Sequence, residues 1–74
     1  MADRDPYRKL VSTQTAGRGR TISVYYSPLN LRHEVDYRGR ILRTFPGIYR
    51  SSYDEAVIFA RVLAADLRKN PRRD

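Results

Sequence analysis

A chain of 74 residues without cysteine can build one small core and has no disulfide to brace it, which excludes a multidomain enzyme with a deep substrate cavity and agrees with a reducing compartment. Lysine and arginine number 15 against 8 acidic residues, a formal charge of +7, and 13 of the 15 are arginine, whose planar fork suits phosphate and guanine edges. No stretch approaches the ~18 apolar residues of a membrane span, and the polar opening MADRDPYRKL is unlike a signal peptide, so a cytoplasmic protein with no membrane partner is expected.

Residues 1–20 show one brief alternation, Tyr7, Lys9 and Val11, and then small polar residues and glycines. They read as a mobile arm that holds at most a short strand or turn. Its last piece, AGRGR, sets Arg18 and Arg20 on glycine-rich backbone, suited to entering a minor groove or to a disordered lead-in. From Thr21 the pattern becomes regular. In TISVYYS, Ile22, Val24 and Tyr26 share one face, which predicts a half-buried strand over 21–27. After the turn SPLN, the run LRHEVDYR alternates Leu31, His33, Val35 and Tyr37 against Arg32, Glu34, Asp36 and Arg38, predicting a strand over 31–38. A hairpin at Gly39 leads to a third strand over 41–45, ended by Pro46 and Gly47.

Ser52 followed by Glu55 reads as a capping box, and a helix is predicted over 53–69 up to Asn70-Pro71. Ala56, Phe59, Ala60, Leu63 and Leu67 share its core face, with Tyr53 and Ala64 on the flanks. Ile58 and Val62 fall on the opposite, charged side. That ridge is either covered by the N-terminal arm or used against a partner. The expected organisation is α+β: a flexible arm over 1–20, a three-stranded antiparallel sheet packed on one C-terminal helix over 21–70, and a cationic tail over 71–74.

Enzyme chemistry is not expected, and neither is a cofactor or a metal. The single histidine, His33, stands in the core register of a strand and has no second His or Cys to share a metal, so a structural imidazole is expected. None of GRGR, RGR and PGI is a phosphate-cradling loop.

The stretch RGRILRTFPGIYRSSYDEAVIFA, residues 38–60, resembles the ethylene-response-factor domains and the arm-binding N-terminal domains of tyrosine recombinases. The likeness lies in a basic hairpin, a short strand ending in Thr44-Phe45, and a helix that opens with Glu55-Ala56 and carries Ala60. The resemblance implies a helix-sheet core built on Phe45 and the two alanines. It also implies that the outer sheet face enters the DNA major groove, presenting Tyr25, Arg32, Arg38, Arg40 and Arg43. The expected function is therefore a small basic nucleic-acid-binding regulatory protein that reads duplex DNA with this face and with Arg18 and Arg20 of the arm.

Glu34 and Asp36 share that face and would repel phosphate unless arginines neutralise them. They keep a second function open. A small basic phage or mobile-element protein could bind a host machine, such as RNA polymerase or an immune effector complex, and inhibit or reprogram it, with Ile58 and Val62 as interface residues.

Overall fold

The computed structural model describes residues 5–70. Strands β1 (Lys9–Thr15), β2 (Thr21–Ser27), β3 (Arg32–Tyr37) and β4 (Arg40–Pro46) form an antiparallel sheet in the order β1-β2-β3-β4, and helix α1 (Arg50–Lys69) follows. The helix lies on one face of the sheet. Ile22, Val24, Val35 and Phe45 from the sheet form one buried cluster with Ala56, Ala60, Ala64 and Leu67 from the helix, and Ala16 joins them from the first turn. Alanines spaced by four residues put small side chains along one line of the helix, which lets its backbone approach the strands closely.

The α+β class is as expected, but the sheet has four strands rather than three. Residues 9–15, assigned to a mobile arm, are β1, which pairs with β2 from Lys9↔Tyr26 to Thr15↔Thr21. An edge strand can form on backbone hydrogen bonds and β-propensity alone. None of its side chains is fully buried, so it leaves no strong period in the sequence. The register slips once between Leu10 and Ser12, which interrupts what little alternation there is.

The helix begins three residues earlier than predicted, and the capping box does not form. Tyr49 is the N-cap and contributes no side-chain hydrogen bond. Ser52 lies inside the first turn, where its hydroxyl is 2.9 Å from each of the Gly47 and Tyr49 carbonyls. Asp54 and Glu55 therefore sit beyond the first turn, which holds no acid. Ser52 is buried against His33, and this contact with β3 decides its use.

Candidate functional site

Because the strands alternate in direction, the β1–β2 and β3–β4 turns lie at the same end of the sheet. Their centres are two strand spacings apart, about 10 Å. The helix C-terminus is tied to this end. Arg68 donates from Nη1 to the Thr15 carbonyl at 2.6 Å, and Arg20 donates from Nη2 to the Leu67 carbonyl at 3.4 Å. Three cationic stretches that are far apart in the chain thus meet, and Arg18, Arg38, Arg40 and Arg68 are all exposed there.

Both turn tips hold an arginine in the left-handed region of backbone space. Arg38 (φ 55°) and Gly39 (φ 76°) have the positive φ pair of a type I′ hairpin, while Arg18 (φ 53°) stands between Gly17 (φ 80°) and Gly19 (φ 75°). Asn or Gly would fit these positions with less strain, since an ordinary L-residue loses about 1 to 2 kcal/mol in this conformation.

Arg20, Arg43 and Arg40 are placed differently from what the sequence implies. Arg20 is buried, and its guanidinium serves the carbonyls of Gly17 and Leu67. Arg43 pairs across the strands with core residue Val35, on the same side as Phe45 by the simple period of two. Its guanidinium stands 5.1 Å from the Phe45 ring centre and 5.4 Å from that of Phe59, on the helix side of the sheet. Arg40 is opposite Tyr37 because Leu42 is an extra residue in β4, and this bulge turns the start of the strand over.

The outer sheet face, which the resemblance assigns to DNA, carries an internal ion cluster. Arg8 crosses it from the N-terminal segment, donating to Glu34 Oε1 at 3.2 Å and to Asp36 Oδ2 at 2.9 Å, with its guanidinium 3.8 Å above the Tyr25 ring. Arg32 donates to the second oxygen of Glu34 at 2.8 Å. Glu34 is wholly buried under these groups. Both carboxylates on this face are thus met by arginines of the same chain.

Asp5 anchors the same segment. It accepts from the backbone N–H of Tyr7 and Leu29 and from the Ser27 hydroxyl, at 2.8 to 2.9 Å. Burial pushes its carboxyl up, but these hydrogen bonds and the Arg8 charge outweigh burial and hold it below the ordinary value. Sequence reasoning missed Arg8, whose acidic partners lie 26 and 28 residues away. The local turn closed by Asp5 onto Tyr7 was the available signal.

On the helix, the described N-terminal residues pack in and over the sheet and do not cover the ridge. Ile58 and Val62 remain 57% and 64% exposed. Beside them runs an open groove of about 490 Å³ lined by Arg43, Phe45, Glu55, Ile58, Phe59 and Val62.

His33 is buried, as expected of a structural imidazole, between the rings of Tyr26 and Tyr53. Its Nδ1 is 3.1 Å from Ser52 Oγ. Because the single Ser52 hydroxyl proton is directed to a carbonyl, Nδ1 is assigned as the protonated, donating nitrogen of a neutral ring. Burial pushes its pKa below the ordinary histidine value, only partly opposed by a hydrogen bond with the Gly47 backbone.

Among the described residues there is no cluster of His, Cys, Asp and Glu able to hold a metal, and no helix is long and apolar enough to cross a membrane. Comparison with protein-family models, curated proteins and solved structures finds no match to this chain.

Proposed function

We propose that this protein is a small duplex-DNA-binding module that engages nucleic acid with the end of its sheet, not with the outer sheet face. The observation that carries the reading is the meeting of Arg18, Arg38, Arg40 and Arg68 at one end of the molecule, two of them held at hairpin tips in strained backbone. Strain retained in a small domain is a cue to function.

The β3–β4 hairpin is a two-stranded ribbon, and the major groove, about 12 Å wide, admits such a ribbon. In this reading Arg38 and Arg40 enter the groove at the ribbon tip, while Arg18 and Arg68 contact flanking phosphates. The helix C-terminus alone would repel an anion through its dipole. Arg20 and Arg68, each bonded to a backbone carbonyl, offset that repulsion.

Replacing Arg18 and Arg38 together with Asn tests this directly, because Asn accepts left-handed backbone. The double variant should remain folded by circular dichroism, and should bind a duplex of about 20 base pairs at least about tenfold more weakly at low salt. An affinity within twofold of the parent would refute the reading.

A further inference from the structure

We infer that two copies of this chain associate through the exposed faces of α1, running antiparallel about a two-fold axis at Val62. Glu55, Ile58, Val62, Ala65 and Lys69 follow one another at spacings of three, four, three and four residues, the seam spacing of paired helices. All five are exposed and lie opposite the Ala56, Ala60, Ala64 and Leu67 face that packs on the sheet, so among the described residues none covers this seam.

The seam is complementary to itself in one orientation only. Val62 is midway between Glu55 and Lys69 in sequence, so an antiparallel copy rotated about Val62 brings Glu55 level with Lys69 of the second copy, and Lys69 level with its Glu55. Ile58 then falls within one residue, about 1.5 Å of rise, of the second copy's Ala65, a large side chain over a small one. Val62 meets Val62. Parallel pairing would instead set Glu55 on Glu55 and Lys69 on Lys69.

This contact is isologous, so it closes at two copies and does not propagate. Two helix faces with two large apolar residues each make a smaller contact than the standard protein interface, which points to dissociation constants in the micromolar to millimolar range. The inference is independent of the nucleic-acid reading, since it uses the face of α1 that points away from the sheet.

Sedimentation equilibrium of the full chain from about 10 µM to about 1 mM, at low salt and without nucleic acid, provides the test. The parent should shift from monomer to dimer across this range. Val62→Glu, at a site already open to water, should remain folded by circular dichroism and stay monomeric. Glu55→Lys and Lys69→Glu should each remain monomeric alone, whereas an equimolar mixture should dimerise, because every cross-pair in the mixed dimer is again of opposite charge. A parent that is monomeric at about 1 mM, association that survives Val62→Glu, or a mixture no more associated than its components would each overturn the inference.

Discussion

Arg8→Met tests whether the N-terminal segment is part of the folded domain. The substitution keeps the length of the stem over Tyr25 but deletes the guanidinium that bonds Glu34 and Asp36. Removing one member of a buried ion pair costs about 3 to 5 kcal/mol, because the partner charge stays buried without compensation. Two features place this case near the lower end, at about 3 kcal/mol. The Arg8 side chain is 11% exposed, and Glu34 keeps its contact with Arg32. A domain of this size has a total stability of only about 4 to 10 kcal/mol, so the loss is a large share of it. Urea unfolding at neutral pH, followed by circular dichroism, should show a midpoint far below that of the parent. Arg40→Met, an exposed control, should remain within about 0.5 kcal/mol. A loss below about 1 kcal/mol for Arg8→Met would mean that the arm is not bound to the outer sheet face.

Four further outcomes follow from the same geometry. Leu67→Ala should cost about 3 kcal/mol in urea, because the side chain is buried where the helix closes on the sheet. Tyr37→Phe should be neutral or stabilising by up to about 1 kcal/mol, since the buried Tyr37 hydroxyl has no hydrogen-bond partner among the described residues. Stability should fall as pH drops through the ordinary histidine value of 6.5, because the unfolded chain binds a proton there that the neutral, buried His33 does not, and His33→Gln should flatten the decline between about pH 7.5 and about pH 5.5. The logarithm of duplex affinity should fall with the logarithm of salt concentration at a slope no steeper than about −3.6, the limit reached if Arg38 and Arg40 met phosphate as well as Arg18 and Arg68, and a slope beyond about −5 would require cations outside the proposed end.

The parts of the fold legible in the sequence are those in which a buried face imposes a period. Ile22 and Val24 in β2, Val35 in β3, and the helix alanines had to alternate or recur as they do, because each faces the same core, and His33 follows the same alternation to meet Ser52 of the helix. Where one element satisfies another through polar contacts, periodicity carries no trace. β1 is held by its backbone, Ser52 is diverted from capping by His33, and Arg8 is fixed by acids from a strand two positions away in the sheet.

Arginine counting fails for a related reason. A formal charge of +7 treats every guanidinium as available to a ligand, yet Arg8 and Arg32 neutralise buried carboxylates and Arg20 caps the end of a helix. These three help hold the domain together. On the outer sheet face Arg8 and Arg32 are set against Glu34 and Asp36, and the exposed basic residues at one end are the better candidates for a polyanion than the face that a simple two-residue alternation presents. A charge on a strand can be assigned to a ligand only after its carboxylate partners have been placed, and placing them requires the register. In β4 a single extra residue, Leu42, is enough to carry Arg40 from one side of the sheet to the other.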